Sequence, residues 1–369
     1  MRQPLAGMRI VTLAEQYPGP FATLLMADLG AEVTIVERAS GDPARQFPDF
    51  HASLNRNKKS VVLDLKTEAG KAALETLVRD ADVLMEGFRP GTMDRLGFGY
   101  PAVAAINPRI VYVSISGFGQ TGPYRDRPAH DLSYQAIAGL LFRQVASEQP
   151  ESPPELAIGD LSSAMFAVVG VLASMLERCR TGKGTYLDVS MTDCLASWMT
   201  TLLVPAVNGG QPVSVNDEPA YGIFRCSDGR LLTLSIAHED WFWTPLCTLL
   251  DMEDAACLTR PERLARKDDL RACIGTRLRT RDRAAWGSDF DSLGIPWGPV
   301  NGLDEVAADR HFRERGLFHS VNETDGSTCR YVPQPLVFDG ERPGPTHGVS
   351  SLGADTAEVL SKCAISPVR

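Results

Sequence analysis

The longest apolar stretch of the chain follows the break Ile158-Gly159-Asp160 and predicts a buried helix. Apolar side chains occupy most faces of this helix, namely Met165, Phe166, Val168, Val169, Val171, Leu172, Met175 and Leu176. A helix that is apolar on most faces is packed inside a protein. Basic residues and glycines in Arg178–Gly184 are signals that end a helix, so we expect it to stop there. Asp160 then occupies the N-cap position.

Two interpretations of Asp160 are open at such a position. Its carboxylate can cap the free N–H groups of Leu161–Ser163, which is the ordinary role of an aspartate before a helix. Alternatively, the helix dipole holds the carboxylate ionised, ready to act as a base or a nucleophile. The position alone is compatible with both roles.

Short β-branched runs that alternate with helical stretches predict a parallel sheet. Met8–Leu13 and Glu32–Glu37 are two such runs, and Phe21–Leu29 between them has helical spacing, which together form a βαβ unit. Further strands are expected at Asn55–Leu65, Ala81–Glu86, Ile110–Ser116 and Thr185–Val189. This alternation predicts an α/β fold, in which ligands bind at the carboxyl ends of the strands. The first βαβ unit lacks GxGxxG, which argues against a dinucleotide site.

A smaller α+β domain is expected after the first. Asn208–Pro219 is rich in Gly, Pro, Asn and Asp, as domain linkers are. Gly222–Ala237 then predicts a β-hairpin, and His238-Glu239-Asp240 begins a helix. We expect a large domain at 1–205, a small domain with its linkers at 206–325, and a return to the large domain at 326–369.

Positively charged side chains follow several of the predicted strands. Arg38 ends the second strand, and Arg89 and Arg95 flank the turn after Ala81–Glu86. Arg56, Lys58 and Lys59 form a compact cluster before the third strand. Such residues are often solvated surface charges, but beside strand ends they also suit phosphate groups.

Composition narrows the class of protein. The chain has 369 residues, 44% of them hydrophobic and 22% charged, as in an ordinary globular protein. Its net charge of -9 argues against nucleic-acid binding. Eight cysteines without CxxC pairs or Cys/His spacing predict neither a metal site nor a disulfide framework. We expect a cytoplasmic protein with no membrane association, because the sequence has no signal peptide and no apolar run of spanning length.

Taken together, these motifs resemble one family, the class III CoA-transferases of the formyl-CoA-transferase type with the α-methylacyl-CoA racemases. The matching stretches are LAEQYPGPFATLLMADLGAEVTIVER, NRNKKSVVLDLK, DVLMEGFRPGTMDRLGFGY, AHDLSYQAIAGLL, IGD with its helix, RTGKGTYLDVSMTD, FRCSDGRLLTLSIAHEDWFW and GIPWGPVN. They occur in order over most of the chain, up to about Asn301.

The resemblance implies a Rossmann-like large domain with a smaller domain inserted into it, and two chains interlocked as a homodimer. It implies no bound cofactor or metal, with coenzyme A entering as part of an acyl-CoA substrate. By motif position, the expected CoA contacts are Tyr17, Pro18, Arg38, Phe88, Arg89 and Arg95. The cluster of Arg56, Lys58 and Lys59 would face the phosphates of CoA.

The family's catalytic aspartate corresponds to Asp160, and two reactions on it are open. In a racemase it is one of two acid/base groups that exchange the proton beside the thioester carbonyl. In a transferase it is a nucleophile that forms a mixed anhydride and then an aspartyl-CoA thioester. His130 matches the racemase sequence His-Asp-(Ile/Leu)-x-Tyr and would be the second base. This match and the short chain favour racemisation, with CoA transfer as the alternative.

Two departures from the racemase pattern keep the transferase open. The racemase Glu that supports the histidine aligns with His238, and Glu239 lies one residue later. Leu156 replaces an asparagine found shortly before the catalytic aspartate of racemases. A third hypothesis, a catalytically silent acyl-CoA-binding protein, predicts no role for Asp160 beyond helix capping.

Overall fold

The computed structural model describes residues 2–144, 154–212, 217–323 and 326–363, which form two compact units. The first unit is Met1–Leu203 with Glu314–Arg369, and the second is Val204–Arg313. The expected end of the small domain at 325 therefore lies within the first unit.

The first unit is built on a six-stranded sheet in which every pairing is parallel. Its strands are β1 Arg9–Thr12, β2 Glu32–Glu37, β3 Lys58–Val62, β4 Val83–Glu86, β5 Val111–Ser116 and β6 Thr185–Ser190. Their order in the sheet is β3-β2-β1-β4-β5-β6, which is that of a Rossmann-type fold. Because the order reverses between β1 and β4, a crevice is expected at the carboxyl ends of these two strands. The predicted α/β fold is confirmed.

Helices cover both faces of this sheet. Among the described residues before Thr200, the helices are α1 Pro18–Asp28, α2 Pro48–Asn55, α3 Glu68–Asp80, α4 Thr92–Leu96, α5 Tyr100–Ile106, α6 Asp131–Ile137, α7 Leu140–Gln144, α8 Ile158–Thr181 and α9 Met191–Trp198, with a short 3-10 helix at Pro43–Gln46. α10, Thr200–Val207, leads into the second unit.

Alternate residues of the central strands face two separate cores. Val83 and Met85 pack in a cluster with α1, α8 and α9, whereas Leu84 packs in a cluster with α3 and α5. This explains why β4 and β5 are apolar almost throughout, since a parallel strand is buried on both faces. α8 ends as predicted, with Gly182 in the left-handed conformation at φ 70°. By length and apolarity α8 would be able to cross a membrane, but here it forms part of a core.

The second unit contains a three-stranded antiparallel sheet, β7 Tyr221–Arg225, β8 Leu231–Ser235 and β9 Trp297–Pro299. Its helices are α11 Asp240–Leu249, α12 Glu253–Ala256, α13 Arg260–Ala265, α14 Lys267–Leu278, α15 Arg283–Leu293, α16 Leu303–Ala308 and α17 Arg310–Glu314. The predicted hairpin is confirmed as β7 and β8. This unit is the α+β domain that the sequence predicts.

The last part of the chain covers an edge of the large sheet. It contains a hairpin, β10 His319–Asn322 and β11 Thr328–Tyr331, and ends with α18 Thr356–Cys363. β3 is an edge strand, and Asp355 and Thr356 bond to its exposed backbone: Asp355 Oδ2 accepts from Ser60 N at 2.8 Å and Thr356 Oγ1 accepts from Val62 N at 3.1 Å. These bonds occupy an edge that would otherwise be open to another strand.

Candidate active site

Asp160 lies in the first turn of α8 and does not cap it. The helix begins at Ile158, after Ala157 at the N-cap position, so the expectation that Asp160 is the N-cap is wrong. The cap comes from another helix: Asp131 Oδ1, at the start of α6, accepts from Gly159 N at 2.7 Å and from Asp160 N at 3.1 Å. With the first N–H groups of α8 served by Asp131, the helix starts two residues earlier than Asp160 and leaves the Asp160 side chain unused.

Gly159 makes this cap possible. A Cβ atom at this position would lie 2.7 Å from Asp131 Oδ1 and 3.3 Å from Leu195 Cδ1. Any side chain would therefore push the Asp131 carboxylate away from the helix. The glycine that looks like a break in the sequence is the residue that allows close approach of α6 to α8.

The Asp160 carboxylate is partly exposed and accepts no hydrogen bond from the described residues. Burial and, to a smaller extent, the charge of the neighbouring Asp131 carboxylate together raise the pKa of Asp160 to about 7. Loss of hydration and a like charge thus act on Asp160 against the helix dipole, which favours the ionised carboxylate. That the dipole holds Asp160 ionised stays a prediction.

Two tyrosines lie close to this pair of carboxylates. Burial raises the pKa of both Tyr17 and Tyr134, and the charges of Asp160 and Asp131 raise each of them further. The Tyr134 hydroxyl donates to Ala129 O at 2.8 Å, and its ring packs on Gly117. Tyr17 precedes α1, and its ring makes edge contacts with two phenylalanines. The predicted CoA contact Tyr17 is thus a neighbour of the predicted catalytic residue.

His130 is exposed and stands directly before α6, as the sequence predicts. Its carbonyl accepts from Ser133 N and Tyr134 N, and the next residue, Asp131, reaches the backbone of Asp160. His238 and Glu239 belong to the second unit, where Glu239 Oε2 accepts from Ala237 N at 2.8 Å. Support of His130 by Glu239 or His238 stays a prediction.

Four of the predicted CoA contacts follow strands of the large sheet. Arg38 comes directly after β2; it is exposed and its Nη2 lies 3.2 Å from Glu15 Oε2. After β4, Phe88 is half-buried and Arg89 is exposed. Arg95 is exposed on α4, and its Nη2 donates to Thr92 Oγ1. Each of these arginines is accessible to an anionic ligand. Pro18 is the first residue of α1, directly after Tyr17.

Arg56 and Lys58 correct the expectation of a phosphate-binding cluster. Arg56 is 2% exposed and forms a bidentate ion pair with Asp28, with Nη2 2.7 Å from Oδ2. Lys58 is 4% exposed, and its Nζ donates to Pro20 O at 2.7 Å and Asn55 Oδ1 at 3.0 Å. Burial lowers the pKa of Lys58 well below its usual range. Arg56 and Lys58 therefore form contacts inside the protein. Of the three residues of the cluster, only Lys59 lies on the surface, where it pairs with Glu358.

The sequence did not give Asp131 a role. The signal was its place next to His130 in the stretch AHDLSYQAIAGLL, but its partner atoms lie 28 and 29 residues further along the chain. Within the described residues, no group of three or more His, Cys, Asp or Glu side chains is arranged to hold a metal ion.

Comparison with known proteins identifies the family of the chain. A sequence model of CoA-transferase family III matches residues 5–356. The chain is 34% identical over 325 residues to an acetyl-CoA:oxalate CoA-transferase from Acetobacter aceti, covering 82% of each protein. It is 30% identical to a succinate–glutarate CoA-transferase from Agrobacterium fabrum, over 98% of this chain and 96% of the relative.

A solved structure has the same fold. The crystal structure of a CaiB/BaiF family protein from Brucella suis is similar with a TM-score of 0.85 and 28% identity, over 98% of this chain and all of that one. The named relatives are enzymes, which removes support from the hypothesis of a silent binding protein, and they favour CoA transfer over racemisation. The chain belongs to CoA-transferase family III, whose enzymes act on CoA thioesters.

Proposed function

We propose that this enzyme transfers coenzyme A between an acyl-CoA and a free carboxylic acid, with Asp160 as the nucleophile. The observation that carries the proposal is the unused carboxylate of Asp160, partly exposed in the first turn of α8 while Asp131 caps the helix. An aspartate needed as a cap would be engaged with the backbone and poorly placed to attack a substrate. The names of the relatives support transfer.

The reaction follows from a free carboxylate beside a thioester. An Asp160 oxygen attacks the thioester carbonyl carbon, and the C–S bond breaks to give a mixed anhydride and the CoA thiolate. The thiolate then attacks the Asp160 carbonyl carbon, which releases the first acid and leaves an aspartyl-CoA thioester. A second carboxylate attacks that thioester, and CoA finally moves to its acyl group by the reverse steps.

The exposed arginines supply the binding side of this proposal. Arg38 and Arg89 follow β2 and β4, Arg95 lies on α4, and all three are exposed, which would suit them to the phosphates of CoA. Tyr17 and Phe88 offer aromatic faces nearby, and Tyr17 lies close to Asp160.

Trapping of the intermediate tests the proposal. The wild-type protein, incubated with an acyl-CoA and hydroxylamine, is expected to carry a hydroxamate on Asp160, found by peptide mass spectrometry. Label from a free acid should appear in a new CoA thioester. Asp160→Ala should lower the rate of this label transfer about 1,000-fold or more, while the variant still binds CoA. Absence of both adduct and label transfer, with CoA bound, would rule the proposal out.

His130 favours a second candidate, racemisation of a 2-methylacyl-CoA. It stands exposed beside Asp131, which itself contacts the backbone of Asp160. In heavy water this reaction would introduce deuterium at the carbon beside the thioester, and His130→Ala would slow the exchange. Exchange without label transfer from a free acid would favour this candidate over the transferase.

We also propose a homodimer. Met165, Val169 and Leu176 lie on one stripe of α8 and are 42%, 57% and 73% exposed. A partner that covers this stripe would bury apolar surface that is otherwise in water. Leu176→Glu is expected to shift the sedimentation coefficient toward the monomer, whereas Thr181→Glu, an exposed polar position on the same helix, should not. A wild-type protein that sediments as a monomer at micromolar concentration would contradict the homodimer.

A further inference from the structure

A cavity of about 270 Å³ lies within the first unit, beside the carboxyl ends of β4 and β5. Among its lining residues are Glu86, Arg89, Asp94, Tyr112, Ser114 and Tyr186. Glu86 is the last residue of β4 and shares the sheet face of Leu84 and Tyr112, which pack with α3 and α5. α8, which carries Asp160, packs on the opposite face. Glu86 is therefore separated from Asp160 by the sheet.

The Glu86 side chain is bonded to the turn that follows it. Its Oε2 accepts from Phe88 N at 2.8 Å. Ser114 lines the same cavity, and the Tyr186 hydroxyl donates to Ser114 Oγ at 3.3 Å. The bond to Phe88 N ties the Glu86 side chain to the backbone of the turn.

Burying the carboxyl group of Glu86 costs free energy that a purely structural role does not explain. It is 4% exposed, and none of the described arginines or lysines forms an ion pair with it. Burial raises the pKa of Glu86 to about 7, with smaller contributions from the charges of Asp94 and Asp188. An apolar residue would cost less in this position if nothing needed the acceptor.

The turn itself is short and depends on few contacts. It runs from Gly87 to Gly91, where Gly91 has φ 78° and Arg89 O accepts from Thr92 N at 3.1 Å. Phe88 is half-buried, and Arg89 extends to the cavity rim. Because Glu86 Oε2 fixes the amide of Phe88, it determines how the two following side chains are presented.

We propose that Glu86 is a positioning residue for coenzyme A, which holds the Gly87–Gly91 turn so that Phe88 and Arg89 meet the ligand. The inference rests on the proposed function, since it takes Phe88 and Arg89 as CoA contacts. Glu86 acts through the backbone of Phe88 and does not touch the reacting atoms. Its loss therefore weakens CoA binding and leaves the transfer step on Asp160 intact.

Three variants separate this role from a general loss of structure. Glu86→Ala removes the acceptor and should raise the Kd for free coenzyme A, measured by calorimetry, about tenfold. Glu86→Gln keeps an oxygen for the Phe88 amide and should restore the Kd to within about threefold of wild type. Ser114→Ala changes another polar residue of the same cavity but leaves the bond from Phe88 N to Glu86 in place, and should keep the Kd within about twofold of wild type.

Kinetics and hydrogen exchange complete the test. Glu86→Ala should raise KM for the acyl-CoA with kcat changed less than about twofold, and the Phe88 amide should exchange faster with heavy water. An unchanged Kd in Glu86→Ala, a kcat that falls with it, or no rescue by Glu86→Gln would overturn the inference. A wild-type protein that bound no coenzyme A would contradict the proposed function itself, independently of the role of Glu86.

Discussion

Two neighbouring carboxylates have different tasks at the start of α8. Asp131 Oδ1 accepts from the backbone N–H groups of Gly159 and Asp160, while none of the described residues donates a hydrogen bond to the Asp160 carboxylate. The charge of Asp131 also raises the pKa of Asp160, so the residue that positions the proposed nucleophile also adjusts its ionisation. Both effects come from a single side chain on another helix.

The pH dependence of the reaction should report the pKa of Asp160. Only the ionised carboxylate attacks a thioester, so kcat/KM should rise with pH and level off above the pKa of about 7 in the free enzyme. Below that pH the rate should fall about tenfold for each pH unit. A pH–rate profile with a slow substrate measures this, and an inflection near 4 would show that burial does not govern the group.

Substitution of Asp131 should separate its two effects. Asp131→Asn keeps an oxygen for the cap but removes the charge, so the pKa of Asp160 should fall and the kcat/KM inflection should move to lower pH. Asp131→Ala also loses the cap and should reduce the free energy of unfolding by about 1 kcal/mol. Denaturant unfolding beside the pH–rate profile measures both. An inflection that stays in place in Asp131→Asn would contradict the electrostatic coupling.

Single residues also show where sequence reasoning succeeds and fails. Asp160 could be singled out because it stands at the start of a recognisable helix, and His130 because it lies in a stretch that resembles the family. Arg56 and Lys58 have the same charge and strand-end position as a phosphate site, yet they point inward because Asp28 and Pro20 O receive them. Those partners are distant in sequence, so composition and spacing do not reveal which way the cations face.

At the level of elements, the start of α8 depends on the close approach of α6. Gly159→Ala would bring a Cβ within 2.7 Å of Asp131 Oδ1, so it should displace the cap and lower kcat/KM at least tenfold. Gly170→Ala in the same helix meets only the flexible Leu187 side chain and should leave activity unchanged. Steady-state kinetics of the two variants checks this. Equal activity in both would show that the cap does not position Asp160.

Elements with strong periodicity were predicted closely, and those formed by long-range pairing were not. β2 is found at Glu32–Glu37, as the sequence predicts. The segment around Trp297 is rich in Gly and Pro and has no strand pattern, but Trp297–Pro299 is a strand paired with β8. This strand forms by pairing with β8, which lies more than sixty residues earlier in the chain. The local sequence pattern does not reveal such a distant partner.

For the whole molecule, the ion pair of Arg56 and Asp28 joins separate parts of the first unit. Asp28 ends α1, and Arg56 Nη2 also donates to Val332 O in the returning chain at 2.8 Å. Asp28 Oδ2 accepts in addition from Gln334 N at 3.0 Å. The pair therefore fixes the last part of the chain to the helix next to the first strand.

Loss of one partner of the Arg56–Asp28 ion pair should lower the stability of the protein without weakening CoA binding directly. Arg56→Met leaves the buried Asp28 charge unpaired and should lower the free energy of unfolding by about 3–5 kcal/mol. Arg89→Ala at the exposed turn should leave stability within about 0.5 kcal/mol and weaken CoA binding. Denaturant unfolding and calorimetry on both variants test this. An Arg56→Met protein of normal stability that had lost CoA affinity would restore the phosphate interpretation.

The bonds from Asp355 and Thr356 to β3 have a consequence for how the protein is made. β3 is synthesised early, but the segment that covers its edge leaves the ribosome only after the entire second unit. During that interval the nascent sheet carries an uncovered strand, which is the kind of surface that chaperones shield and that pairs between unfinished chains. We therefore expect the yield of soluble protein to fall when synthesis of the segment that contains Asp355 and Thr356 is delayed.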